Sequence, residues 1–263
     1  MTVRVGVFGA GGKVGSTVCA AVLRDPELEL VAAVDPHHAG IDVSKFTEGA
    51  ALGLQISSSA DALAEAGAEV AVDFTFLDAA RENVSWCASN GVHAVVGTTG
   101  FTDGDLDRYR RDFASSNCLI APNFAIGAVL MMRFAELAAP WFETAEIIEL
   151  HHDQKIDAPS GTAMRTAELM AAASDEWGQD LTTKVVAEGA RGGAAAAGIR
   201  VHSVRLHGLV AHQEVLLGTE GQSLTIRHDS YDRSSFMPGV VLACKKIGDH
   251  PGVTVGLEPF LGL

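Results

Sequence analysis

The segment Glu149-Leu150-His151-His152-Asp153-Gln154-Lys155-Ile156-Asp157-Ala158-Pro159-Ser160-Gly161-Thr162-Ala163 places proton carriers directly ahead of a helix start. His151 and Lys155 stand four residues apart, and both residue types can move a proton or set positive charge beside a reacting group. Ser160 is a helix-capping residue, so Gly161 and Thr162 after it expose backbone amides to an anion. Together these groups suit a carboxylate substrate that gains a proton. His152 adds a second imidazole, but adjacent residues of a regular strand face opposite ways. Both histidines reach one ligand only if the strand ends or bulges there. A metal reading of His-His-Asp is poor, because consecutive residues rarely build a defined coordination geometry, and no metal is assigned. Taken singly, a histidine or lysine is more often a satisfied or solvated surface residue. The combination with the helix start carries the chemistry.

A second constellation lies near the amino end. Gly9-Ala10-Gly11-Gly12-Lys13-Val14-Gly15 follows an apolar β-rich run and opens a helical one. Glycines there permit a tight turn and close approach of helix amides to a pyrophosphate. The spacing is GxxGxxG rather than the standard GxGxxG, and a glycine cluster alone is more often a plain turn. Asp35, at the end of the next strand, supplies context, since an acid about 20 residues on hydrogen-bonds an adenosine ribose. Its plainer role is a turn cap before Pro36. An acid here repels a 2′-phosphate and favours NADH, whereas Lys13 can offset that repulsion. NADH and NADPH therefore both stay open. Gly97-Thr98-Thr99-Gly100, Phe74-Thr75 and Ala121-Pro122-Asn123-Phe124 each end a predicted strand, where open α/β sheets bind ligands.

The elements that must hold these groups alternate strand and helix through the first third of the chain, as in a parallel sheet covered on both faces. Strands are expected at 3–8, 28–34, 70–74, 93–96 and around 119–120. Helices are expected at 13–24, 60–66, 78–90 and 103–115. From about Ala125 the rhythm changes. A long helix (127–139) precedes strands at 145–152, 199–206, 213–217 and 222–228, the last two joined by a Gly218-Thr219-Glu220-Gly221 turn. The stretch 189–198 lacks periodicity and reads as a mobile loop. After Pro238 a helix and the run Val253-Thr254-Val255 return to the first domain. The expected class is α/β: a Rossmann-like dinucleotide-binding domain (1–124 and 237–263) and a central α+β domain with a mixed sheet (125–236) for substrate binding and oligomerisation.

Composition narrows the field. With 33 Asp+Glu against 19 Lys+Arg, the formal charge of −14 argues against a nucleic-acid surface, which needs clustered cations. Hydrophobic residues at 48% of 263 supply core enough to exclude a disordered chain. No run approaches the ~20 apolar residues of a membrane span. Met1-Thr2-Val3-Arg4-Val5 enters a strand without a signal peptide. Cys19, Cys87, Cys118 and Cys244 form no CxxC pair, which fits apolar positions in a reducing cytoplasm.

The glycine loop, Val95-Val96-Gly97-Thr98-Thr99-Gly100, Ala121-Pro122-Asn123-Phe124 and the segment from Glu149 to Ala163 resemble the 4-hydroxy-tetrahydrodipicolinate reductase (dihydrodipicolinate reductase) family. The resemblance covers essentially the whole chain. It is nearest to actinobacterial members, judging by 121–128 and 209–215. It implies NAD(P)H-dependent reduction of a cyclic imine dicarboxylate in the diaminopimelate and lysine pathway, by a homotetramer joined through its central sheets. On that pattern His151 matches the proton donor/acceptor and Lys155 the second proton donor. His152, Ser160, Gly161 and Thr162 match the substrate positions. Gly9, Ala10, Gly11, Gly12, Lys13, Val14, Asp35, Gly97, Thr98, Thr99, Ala121, Pro122, Asn123 and Phe124 match the cofactor positions. Gln154 departs from the histidine that many members carry before the lysine. Gly11 stands where relatives often have lysine, which tilts preference towards NADH. Two other classes compete: a nucleotide-sensing regulator, which leaves the His-His-x-x-Lys segment without purpose, and an aldehyde or amino-acid dehydrogenase. An aldehyde dehydrogenase wants a nucleophilic cysteine in the second domain, and Cys244, the only one there on a generous boundary, lies in a predicted apolar helix.

Overall fold

Buried valines and alanines on both faces of short runs build the first sheet. The computed structural model describes residues 2–47 and 53–263. In chain order the first elements are β1 (Val3–Phe8), α1 (Lys13–Arg24), β2 (Leu28–Val34), α2 (Ser44–Thr47), α3 (Asp61–Glu65), β3 (Val70–Asp73), α4 (Leu77–Asn90), β4 (His93–Val96), α5 (Asp103–Asp112) and β5 (Cys118–Ile120). There follow α6 (Ile126–Ala138), β6 (Thr144–His151), α7 (Gly161–Ala173), β7 (Gly193–Ala194), β8 (Arg200–Arg205), β9 (Ala211–Thr219), β10 (Gln222–Ser230), α8 (Met237–Lys246), β11 (Val253–Val255) and α9 (Glu258–Leu261). The chain divides into two compact units, Met1–Ala125 with Arg233–Leu263, and Ile126–Asp232.

The first unit holds a six-stranded sheet in the order β11-β5-β4-β3-β1-β2, parallel at every pairing. The strand order reverses between β1 and β3, which is where such sheets open a ligand crevice at their carboxyl edge. α1 buries Val18, Cys19 and Val22 at helical spacing. α4 ends at Gly91, whose φ of 68° suits a residue without Cβ. Thr102 and Asp105 form a reciprocal capping box at the start of α5. That helix stops at Asp112, short of the expected Ser115, because Phe113 turns into the core against Tyr109. β11 pairs with β5, so the last strand belongs to the first sheet.

The second unit holds a five-stranded mixed sheet, β10-β9-β6-β8-β7, in which only the β6–β8 pairing is parallel. Ile147, Val201, Val215 and Leu217 are buried, as are Met131, Met132, Ala163, Ala167 and Met170 of α6 and α7. Gln213 Nε2 on β9 donates to Thr166 Oγ1 on α7 at 2.8 Å, tying helix to sheet. β9 and β10 run longer than their apolar cores suggest, pairing from Ala211↔Ser230 to Thr219↔Gln222 around a tight Glu220-Gly221 turn, with Gly221 at φ 76°. The aperiodic stretch 189–198 contains β7, paired with Val201 and Arg200, and a helical turn at Ala196–Gly198.

Candidate active site

The glycine loop leaves β1 through Gly9, at φ +66°. A Cβ on Gly15 would lie 2.0 Å from the Gly9 carbonyl oxygen, so α1 packs on the loop only with glycine there. Gly12 is the N-cap of α1, and no side chain caps that end. The amide end of a twelve-residue helix, beginning at Lys13 and Val14, therefore faces the loop without a capping oxygen. That arrangement fits a pyrophosphate. Ala10 is wholly buried and donates its amide to Val34, which anchors the loop to β2.

Asp35 is buried at the end of β2, and both carboxylate oxygens are engaged. Oδ2 accepts from Gly11 N at 3.1 Å and lies 2.9 Å from His38 Nδ1, while Oδ1 accepts from His37 N at 3.0 Å. The His38 ring covers Gly11 so closely that a Cβ there would meet Nδ1 at 2.3 Å. Asp35 thus braces the glycine loop in addition to standing where a ribose acid belongs. Nothing in the sequence pattern singles out His38.

The remaining nucleotide-side residues share the carboxyl edge of the same sheet. Asp73, the last residue of β3, is buried and organises them. Its Oδ1 accepts from Thr75 N and Oγ1, both at 2.7 Å, and its Oδ2 accepts from Asn83 Nδ2 at 2.7 Å. Thr98 Oγ1 donates to the Thr75 carbonyl at 2.6 Å, which fixes the turn after β4 and leaves Thr99 exposed. A Cβ on Gly97 would collide with the Phe74 ring at 2.0 Å, and Phe74 in turn packs on Phe124 with centroids 5.4 Å apart. Ala121 continues the sheet ladder by donating to Val96, Pro122 is exposed, and Asn123 Oδ1 accepts from Ala125 N at 2.9 Å. The glycine loop, Asp35 and the segments 97–99 and 121–124 all follow strands of one parallel sheet, at its carboxyl edge.

In the second unit, β6 ends at His151, and His152 lies beyond it, exposed. The alternation that would turn the two rings apart therefore stops between them. His151 Nδ1 lies 2.5 Å from Oε2 of Glu149, a carboxylate with no solvent exposure. Burial holds the His151 imidazole below its ordinary pKa; Glu149 opposes this, and the Lys155 and Arg205 charges reinforce it. Lys155 Nζ donates to both oxygens of Asp157, at 2.7 and 2.9 Å. Lys155 is part-buried, and its positive charge helps to hold the His151 imidazole below its ordinary pKa.

Ser160 begins α7 as its N-cap, its hydroxyl accepting from Ala163 N at 3.2 Å. Its own amide donates to Glu149 Oε1 at 3.2 Å, so Ser160 is buried and its polar atoms serve the helix start. Gly161 is exposed, with open space where a Cβ would stand. Thr162 completes the first turn and accepts from Thr166 Oγ1 through its carbonyl. Arg205, on β8, lies 56 residues from Glu149 in sequence and grips both its oxygens, at 2.9 and 2.8 Å. Only the β6–β8 pairing, His151 opposite Arg205, reveals it. A cavity of about 520 Å³ in the same unit, lined in part by Thr144, Trp177, Arg191 and Arg200, lies at the opposite end of β6. Its charges are paired with one another, Arg191 with Glu146 and Arg200 with Asp180. Among the described residues no cluster of His, Cys, Asp or Glu could hold a metal, and no helix is long and apolar enough to cross a membrane.

A doubly wound parallel sheet with a glycine loop and strand-end acid, joined to a mixed-sheet unit bearing a carboxylate-held histidine and a lysine, defines a two-unit nicotinamide-nucleotide oxidoreductase. The chain belongs to the dihydrodipicolinate reductase family. The model of that family's N-terminal region matches residues 3–124, and the model of its C-terminal region matches 127–261. The 4-hydroxy-tetrahydrodipicolinate reductase of Nocardia farcinica is 55% identical over 269 residues, covering 100% of each chain. That of Corynebacterium urealyticum is 50% identical with 99% of each covered. The solved structure of dipicolinate-bound dihydrodipicolinate reductase from Paenisporosarcina sp. TG-14 superposes with a TM-score of 0.86 at 41% identity, covering 98% of this chain and 99% of the other.

Proposed function

We propose that this chain catalyses the NAD(P)H-dependent reduction of 4-hydroxy-tetrahydrodipicolinate, through dihydrodipicolinate, to tetrahydrodipicolinate in the diaminopimelate and lysine pathway. The observation that carries the reading is the order of the second site. A carboxylate-held His151, a lysine acting on it and a capped helix start occur within thirteen residues, 149–161, of a chain of this family. The first unit binds the dinucleotide through Gly9–Val14, Asp35, Gly97–Thr99 and Ala121–Phe124, and the second binds the diacid.

When bound, the reduced nicotinamide supplies a hydride to the unsaturated ring. The 4-hydroxyl and a neighbouring ring hydrogen leave as water to give the dihydro ring; the hydride's two electrons then enter one double bond of that ring, and the negative charge that develops needs one proton for balance. Lys155 carries that proton as an ammonium and screens the developing charge; such donors contribute on the order of 10²–10⁴-fold. His151, held neutral by burial, passes protons through Nε2 because Nδ1 faces Glu149. The amides of Gly161 and Thr162 at the amino end of α7 hold one substrate carboxylate, with His152 contributing from the strand end.

The homotetramer joined through the central sheets is supported by strand alternation in the second unit. Ile147 and Glu149 are buried, whereas Ile148 and Leu150 on the opposite face stay part-exposed, as does Leu216. A cytoplasmic setting is supported by four free, buried cysteines. The test is to mix purified protein, enzymatically generated hydroxy-tetrahydrodipicolinate and either NADH or NADPH, and to follow cofactor absorbance. Substrate-dependent oxidation is expected. Silence with both cofactors overturns the proposal.

A further inference from the structure

Glu149 is a fully buried carboxylate of the second unit. Its side chain has no solvent exposure, and its two oxygens meet donors from His151, Ser160, Ser203 and Arg205. Oε2 lies 2.5 Å from His151 Nδ1 and accepts from Arg205 Nη1 at 2.9 Å; Oε1 accepts from Arg205 Nη2 at 2.8 Å and Ser160 N at 3.2 Å. Arg205 reaches further, donating through Nη2 to the Asp157 carbonyl at 2.7 Å and through Nη1 to its neighbour Val204 at 2.8 Å. Asp157 in turn holds Lys155 through its carboxylate. One buried ion pair therefore connects the proton-carrying histidine, the loop bearing the lysine and the first residue of the anion-binding helix.

We propose that Glu149 and Arg205 are positioning residues that fix the His151 tautomer with Nε2 outward and lock the proton relay to the carboxylate cradle as one rigid piece. This rests on the reading of His151 and Lys155 given above. Burial pushes the Glu149 carboxyl up, but hydrogen bonds from Arg205, Ser203 and His151 together hold it below the ordinary carboxylate value, so it is an anion at neutral pH. An ionised carboxylate only accepts hydrogen bonds. The proton between it and the ring therefore sits on Nδ1, and the neutral ring carries its lone pair on Nε2. Without the carboxylate the ring can exchange tautomers and rotate. Without the guanidinium the helix start and the 155–157 loop lose their common anchor.

The two partners act on His151 with opposite sign. Glu149 stabilises the imidazolium and Arg205 destabilises it. The further charge acting on the ring is Lys155, on the loop after β6, where Asp157 pairs with it. β9 presents uncharged Ala211 and Gln213 on this side, and the first turn of α7 bears Ser160 to Ala163, also uncharged. A part that merely filled space would not move the histidine's titration in two directions.

The experiment compares wild type with Glu149→Gln, Arg205→Met and Arg205→Lys. Each is measured by nitrogen NMR of labelled histidine, with His151→Asn assigning the signal, by the pH profile of kcat/KM, and by calorimetric binding of NADH and of dipicolinate. We expect the Nδ1–H tautomer in wild type and a mixture in Glu149→Gln. In that variant kcat falls on the order of 100-fold, NADH affinity is unchanged, and the acid limb moves to lower pH. Arg205→Met moves the limb to higher pH and weakens dipicolinate, and Arg205→Lys recovers most of both. If Arg205→Met does not fold, the other two variants still decide. A wild-type tautomer and pH profile in Glu149→Gln overturn the proposal. Wild-type protein that fails to reduce the imine dicarboxylate overturns the reaction instead, and the tautomer measurement then tests the positioning role independently.

Discussion

Replacing Lys155 with methionine keeps the length of the stem and removes only the ammonium. The two things that ammonium does differ in size. As a proton donor to the developing negative charge it contributes on the order of 10²–10⁴-fold, which corresponds to about 3–5 kcal/mol of activation free energy. As half of an ion pair it holds Asp157, whose side chain is 56% exposed. A pair that wet contributes about 1 kcal/mol or less to folding, or roughly 4–5 °C in Tm at most for a unit of this size. Lys155→Met should therefore lose at least 100-fold in kcat with NADH affinity intact and Tm within a few degrees of wild type. Initial rates by cofactor absorbance, calorimetry with NADH and a thermal melt on the same preparation separate the terms. Turnover within threefold of wild type would remove the lysine from proton transfer. A loss of activity accompanied by a Tm drop well beyond that range would show that Lys155 acts through structure.

Gly15→Ala should abolish dinucleotide binding in calorimetry with the mixed-sheet unit still folded by circular dichroism, because its methyl would lie 2.0 Å from the Gly9 carbonyl. His38→Ala should weaken NADPH several-fold more than NADH, since it strips the ring from an acid that repels a 2′-phosphate. Asp35→Ala should do the reverse, with some loss for both cofactors because Gly11 N loses its acceptor; paired Kd measurements check each sign. Burial depresses the pKa values of His93, His151 and His228, so the folded state binds fewer protons than the unfolded chain. Stability is then full above the ordinary histidine pKa and falls as pH drops through the depressed values. A second loss follows in more acidic solution as the lowered carboxyls of Glu149 and Asp105 protonate. Melts between pH 8 and 3, on the order of one per half unit, should show a two-stage decline; a Tm that rises on acidification from neutrality would contradict it.

The parallel sheet was legible in sequence because its strands are continuous apolar runs punctuated by glycine, and the chemistry-bearing segment because its residues are contiguous. What stayed hidden depends on pairing across the chain. Arg205 has no local pattern and acquires its role only when β8 aligns beside β6, with Arg205 opposite His151. Asp73 reads as the polar end of a buried strand, and its work on Thr75 and Asn83 appears only once α4 folds back over β3. His38 follows a Pro36 turn like many surface histidines, and it matters because the turn brings its ring onto Gly11. Element ends moved for local reasons, as at Phe113, where core packing ended a helix that polar periodicity would have extended.

β11 fills an edge position beside β5 in a sheet whose other strands all precede residue 121. During synthesis, about 130 residues containing the entire second unit emerge before that strand exists. Until then β5 presents an unpaired rim, a template for association between nascent chains. The uninterrupted unit can close first, while the split one must wait for its final strand. A clipped carboxyl terminus would thus expose an adhesive rim on the split unit while sparing the fold of the uninterrupted one.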